Sequence, residues 1–463
     1  MITELRILPP LAIARLGSSP TPLENYELRP PADSLGFREI HPAETLVVDD
    51  ESGAISKAHK PRKIVFRDGD SIRPVAPFFE VFARIDQGDL EPLTIQVLQH
   101  YGLTPADVTW SVKAGNLKVF RRTGKPEDRA YAVLESIHDH KAYPLEGKCQ
   151  NFLPGKILPL GSVRYIKPDE FFPEIRLRYT PAEGKVYGSS LTRKQLDLTG
   201  NVVEEDDPVL TPELIIYDSA PGKGTWRDYI DPGLPTDTNP GQIYAGFENA
   251  DGNQQSWGYL DDECDGIVQV ELTVSGNRLS AFARFGAGPP AFAPDGLPIR
   301  TVADELEQAL FGPEVTSAEA TIDNAEEILR RAFETVRLMN TAVMNGNTIN
   351  GRTAVASMMP AQDSNDTSRL FGPIMAPTLV DNLAIVALHQ GIFAALRSGT
   401  RPWFVDVLRQ PEEIGDLTDK GRRKMPAMMR GADGRYLALT RRQIDMIRKA
   451  AAKGPFPEKG TDV

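Results

Sequence analysis

Cysteine is almost absent from this chain. Two in 463 residues, Cys149 and Cys264, exclude a disulfide framework and a cysteine-built zinc site, and they fit a reducing compartment. Histidine is scarce as well: six residues, of which only His138 and His140 stand close together. No run approaches the roughly 20 apolar residues that span a bilayer. Met1 to Pro10 holds one arginine and no apolar core of signal length, so the expected location is cytoplasmic. Positive charge is in deficit, 52 Lys and Arg against 64 Asp and Glu for a net −12. Nucleic acids and anionic membranes are bound by clustered cations that release counterions, so neither is expected as a partner. There is no Gly-x-Ser-x-Gly elbow, Walker loop or dinucleotide fingerprint; Gly222-Lys223-Gly224-Thr225 lacks the leading glycine and the strand context.

Proline and glycine are plentiful, 38 of each, and apolar clusters run along the whole chain. That combination indicates many turns within a folded, β-rich body. The predicted class is α+β, with a β-rich N-terminal region over 1–300, sandwich or barrel-like, and a mainly helical region over 301–463. Leu5 to Leu16 reads as one strand interrupted by Pro9 and Pro10. Ile64 to Phe66, Phe78 to Ile85, Thr109 to Val112 and Leu117 to Phe120 read as short strands. In Glu174 to Tyr179, and in Ile267 to Val274, strict alternation predicts half-buried antiparallel strands. After Thr301 the period becomes about 3.6. Thr301 with Asp304 opens one helix, Ile322, Ala325, Leu329, Ala332, Phe333 and Val336 form the stripe of a second, and Thr378 opens a third that buries Leu383, Ala387, Ile392 and Leu396. A Thr440 to Gln443 capping box opens the last. Between the second and third helices, 345–377 is rich in Asn, Gly, Ser, Met and Pro, as a functional loop or lid would be.

The stretch Trp257 to Pro294 is the most distinctive. An acidic turn (Asp261, Asp262, Glu263, Cys264, Asp265, Gly266) is followed by two strands and a Pro-Pro-Ala-Phe-Ala-Pro exit. It resembles the cysteine tryptophylquinone amino-acid oxidases, the lysine ε-oxidase and glycine oxidase family. Six further blocks are similar to that family in the same order: Ile7 to Pro20, Ile72 to Phe78, Val108 to Phe120, Pro159 to Arg164, Lys424-Met425-Pro426 with Leu437 to Gln443, and Lys453 to Phe456. The resemblance implies a pocket for an amino acid or an amine-bearing peptide, with Trp257, Asp262 and Asp265 as candidate substrate contacts.

The resemblance fails at the cofactor. In the family a Trp is oxygenated and joined by thioether to a Cys, both beyond the Leu-Thr-x-x-Gln helix. Here no Trp follows Trp403 and no Cys follows Cys264. A tryptophylquinone is therefore not expected. Trp110 and Trp257 fall at family positions that are structural. Trp257 and Cys264, seven apart, are within reach across a turn, but the family has a small residue at the cysteine's place.

Other candidates stand beside plainer readings. His138 and His140, alternating on a strand, would offer two imidazoles to copper or iron with Glu135 or Glu146. Two ligands without a third equally describe a solvated turn, the favoured reading. The acidic turn would suit a hard cation or a substrate ammonium group, while Asp and Gly favour turns for backbone reasons alone. Cys264 among carboxylates should have a raised thiol pKa, unsuited to a nucleophile. His389, Met358-Met359 and Met428-Met429 read as core or interface residues. The leading expectation is a relative of these oxidases without its own quinone that recognises an amino acid or amine-bearing peptide. A metal-dependent oxidase, and a non-catalytic scaffold, homo-oligomer or partner subunit, are the alternatives.

Overall fold

Pro9 and Pro10 lack the N–H groups that a ladder needs. The first apolar run divides there into β1 (Ile2–Leu8) and β2 (Leu11–Arg15), and the halves enter different sheets rather than one interrupted strand. The structure, a computed structural model, describes residues 1–30, 38–189, 193–196, 202–205, 211–217, 246–248, 254–256, 258–291, 294–336, 390–398, 405–406, 408–414, 416, 424 and 438–453. The chain is an α+β protein in two compact units, Met1–Glu27 with His41–Phe292, and Leu28–Ile40 with Ala293–Val463.

In the first unit the remaining strands used below are β3 (Phe78–Ile85), β4 (Leu90–Pro92), β5 (Thr109–Asn116), β6 (Ala130–Ile137), β7 (Ala142–Gly147), β8 (Leu158–Tyr165), β9 (Arg176–Thr180), β10 (Val186–Ser189), β11 (Ile215–Tyr217), β12 (Gly258–Asp261), β13 (Cys264–Val274) and β14 (Asn277–Gly288). One sheet has the order β1-β3-β9-β8-β7, with β4 also paired to β3. The other runs β6-β5-β13-β14-β2, and a three-stranded sheet runs β11-β10-β12. β2 lies parallel to β14.

Period-two burial joins the two large sheets through one core. Phe79 and Val81 of β3, Leu177 and Tyr179 of β9, Trp110 and Val112 of β5, Val268 and Val270 of β13 and Phe285 of β14 all belong to it. Rings meet across the layers: Phe285 lies 4.2 Å from Tyr179 and 6.4 Å from Phe79 between centroids, and Trp110 lies 6.2 Å from Tyr165. Gly266 sits directly opposite Phe285 in the ladder, and a Cβ there would fall 2.1 Å from Phe285 Cζ. The ring lies over the glycine because nothing else occupies that space.

Two expected strands are absent. Ile64 to Phe66 is irregular, although Ile64 is buried, and the adjoining strand is only Arg67–Asp68. Leu117 to Phe120 turns helical: besides α1 (Ile95–His100), the unit has α2 (Lys118–Thr123). Asn116 Oδ1 accepts from Lys118 N at 3.0 Å and starts the turn, and Gly124 ends it in the left-handed region at φ 68°.

In the second unit α3 (Val302–Phe311) opens with the expected reciprocal cap of Thr301 and Asp304, yet none of its residues is buried. α4 (Ile322–Val336) buries Ala325, Ile328, Leu329 and Ala332, and α5 (Arg441–Ala452), capped by Thr440 and Gln443, buries Ile444, Ile447, Ala450 and Ala451 in the same core. The helical segment 390–397 adds Phe393 and Leu396. Thr378, Leu383, Ala387 and 345–377 lie outside the described residues. Arg38, itself buried, is held at 2.7 Å by Glu327 and 2.6 Å by Glu334 of α4.

Gly266→Ala should displace the Phe285 ring and destabilise the fold by about 1–3 kcal/mol. A denaturant titration showing an unchanged midpoint would contradict this account of the ladder.

Candidate functional site

Strand pairing takes over most of the acidic stretch that the sequence predicts as one turn. β12 ends at Asp261 and β13 begins at Cys264, leaving Asp262 and Glu263 to make the turn. From Cys264 onward side chains alternate, so Cys264 faces the core and Asp265 faces solvent.

Asn116, at the end of β5, pins this turn by donating its amide Nδ2 to Asp261 O and Glu263 O, both at 2.8 Å. Lys118, in the first turn of α2, pairs with the Asp261 carboxylate and with Glu263 at 2.6 Å. Asp262 is 1% exposed. Its Oδ2 accepts from Gly184 N at 3.1 Å and Lys185 N at 3.0 Å, while Oδ1 is buried without a hydrogen-bond partner. Burial pushes its pKa up to about 6 against the opposing pull of these amides. The candidate substrate contact Asp262 is thus committed to main chain within the protein.

Cys264 is enclosed. Its Sγ lies 3.2 Å from Tyr179 Oη and 3.7 Å from Leu160 O, and the tyrosine hydroxyl donates to Leu160 O at 3.0 Å. Burial first, then the neighbouring carboxylates, push the thiol up to about 12, so it stays protonated and unreactive at neutral pH. Cys149 Sγ donates to Glu127 O, and burial raises its pKa too. These settings engage each sulfur with main chain or tyrosine. Trp110 packs on Tyr165. Trp226, Trp257 and Trp403 lie outside the described residues, as do His389, Gly222 to Thr225 and both methionine pairs.

The histidines fall after the end of β6, in a turn rather than on the strand. Each ring meets a different carbonyl, His138 Nδ1 at 3.2 Å from Ala106 O and His140 Nδ1 at 3.1 Å from Tyr165 O. Partial burial lowers the His140 pKa and favours the neutral ring. Among the described residues no group of three or more His, Cys, Asp and Glu is placed to hold a metal ion, so neither Glu135 nor Glu146 completes a set for copper or iron.

What these elements do enclose is a cleft of about 210 Å³ beside α2, lined by Gly115, Asn116, Lys118, Arg121, Glu263 and Asp265 among others. Arg121 and Asp265 are 69% and 84% exposed and 3.9 Å apart, beyond hydrogen-bond range. An exposed pair at that distance gains little from its own contact, and both groups keep their donors and acceptors for a solute. Asn116, Lys118 and Arg121 escape a sequence reading because the segment passes for a strand. The chain matches no family model, and no curated protein matches it.

Protonated Asp262 favours the fold. Its folded pKa lies above the unfolded value near 4, so this stability is present below pH ~4 and is lost as pH rises through about 6, a change of up to roughly 3 kcal/mol. Asp262→Asn, which keeps an oxygen for both amides, should match the wild type near pH 4 and exceed it in stability at pH 7. Parallel unfolding profiles for the two proteins over that range would reject the assignment.

Proposed function

We propose that the protein recognises a small amino acid, or the amine-bearing end of a peptide, in the cleft beside α2. The observation that carries this reading is the placing of both charge signs around one small space: Asp265 for an ammonium group and Arg121 for a carboxylate, with the Glu263–Lys118 pair beside them. Arginine suits the carboxylate because its planar fork donates two parallel hydrogen bonds. A zwitterion would exchange the loose Arg121–Asp265 contact for charge-assisted bonds to each partner. The volume is below the roughly 300–1,000 Å³ typical of drug-sized sites, in keeping with a small polar solute.

The family resemblance supports the same ligand class. Asp265 keeps its expected role in this reading, and Asp262 acts behind it by fixing the turn. The reading is one of recognition. No step of oxidative deamination is assigned to the residues around the cleft, whose thiol, Cys264, is held protonated.

Calorimetric titration with glycine, lysine, ethylamine and acetate tests the proposal. An amino acid should bind more tightly than either half-molecule. Arg121→Ala and Asp265→Asn should each weaken it by about 10- to 100-fold, as losing one charge-assisted hydrogen bond does. Absence of amino-acid binding at millimolar concentration, or indifference to both substitutions, would overturn it.

A further inference from the structure

The outward face of the β6-β5-β13-β14-β2 sheet carries Tyr131 and Val133 on β6, Ile267 on β13, Phe282 on β14 and Ile13 on β2, all between 37% and 60% exposed. A sheet with one face in a core normally turns polar residues to water on the other. The register interleaves these residues with charged ones and glycines. Val133 stands opposite Lys113, Lys113 opposite Ile267, and Ile267 opposite Arg284. In the next outward row Tyr131, Gly115, Asp265, Gly286 and Ile13 follow one another. One exposed apolar residue needs no explanation, but five on one rigid face, interleaved with cations, mark a place where an amphipathic partner packs.

Charge identifies that molecule's chemistry. Among the described residues neither Lys113 nor Arg284 has a carboxylate partner; Arg284 instead lies 5.8 Å from the centre of the Phe282 ring. Along the strands, Asp265 and Glu135 flank this cationic row on either side. The two cations are two strand spacings apart, about 9.6 Å. On an α-helix, residues i and i+7 share a face about 10.5 Å apart. We propose that this face docks an acidic amphipathic helix of another protein. Two carboxylates seven residues apart meet Lys113 and Arg284, an apolar residue between them covers Ile267, and apolar residues beside them cover Val133 and Phe282. The flanking acids oppose a shift of such a helix along the strands.

The probe is a labelled synthetic helical peptide of 18 residues with Glu at two positions seven apart and Leu on the face between them, read by fluorescence anisotropy. Binding should weaken with salt, and K113E with R284E should lower affinity at least about tenfold. A peptide with Lys at the same two positions should then bind the double variant better than the wild type. Both positions are exposed, and circular dichroism melts would confirm that the variant is folded. No binding to the wild type, or equal binding to the double variant, would overturn the proposal. So would a wild-type dimer in sedimentation that Phe282→Ser dissociates, since a second copy would then be the occupant. The probe does not use Arg121, so failure here leaves the amino-acid cleft standing, and the reverse.

Discussion

Phe285 lies across Gly266, and the two large sheets meet on that ring. Its contact with Tyr179 brings β14 against β9, and Tyr179 in turn sets its hydroxyl on Leu160 O and beside Cys264. Cys264 is the first residue of β13, so enclosing it fixes the phase of that strand. With the phase fixed, Asp265 must face outward beside α2, where the cleft is. One missing side chain thus allows the ring that locates a surface site one residue from the core.

The turn before β13 is held by polar groups, at an energetic cost. Asn116 and Lys118 bind its carbonyls and carboxylates, and Asp262 reaches the other way to the amides of Gly184 and Lys185. A buried carboxylate with one oxygen unpartnered costs stability, and the elevated Asp262 pKa expresses that cost as a preference for the proton. The gain is definition: the turn is tied at once to α2 and to the chain just before β10. Its orientation therefore does not depend on apolar packing alone.

What could be read from the sequence was local in origin. The caps at Thr301 and Thr440 are contained within four residues, and the alternation of Ile267 to Val274 needs only one buried face, so both were legible. Leu117 to Phe120 was misread because four residues fit either period, and the partner that bends the chain there, Asp261, lies 145 positions from Asn116. At Pro9-Pro10 the break was legible and the destination of the second half was not, since that depends on a strand near residue 285. Asp262 and Asp265 were legible as acids. That one would serve the main chain and the other face a cleft follows from the strand starting at Cys264, which the run of turn-forming residues concealed. Lys118 and Arg121 carried no signal of their own.

The parallel pairing of β2 with β14 also bears on how the protein is made. Leu11 meets Arg284, so apart from the bridge of Arg15 to Val75 this strand has no ladder among the described residues until the strand around residue 284 has been made. At ribosomal rates of about 5–20 residues per second, that interval is roughly 15–55 s. β1 can pair with β3 far sooner, which would leave β2 tethered to a nascent sheet with an open edge. Newly made chains therefore pass through a stage in which an apolar strand awaits its neighbour, a stage during which a chaperone has something to hold.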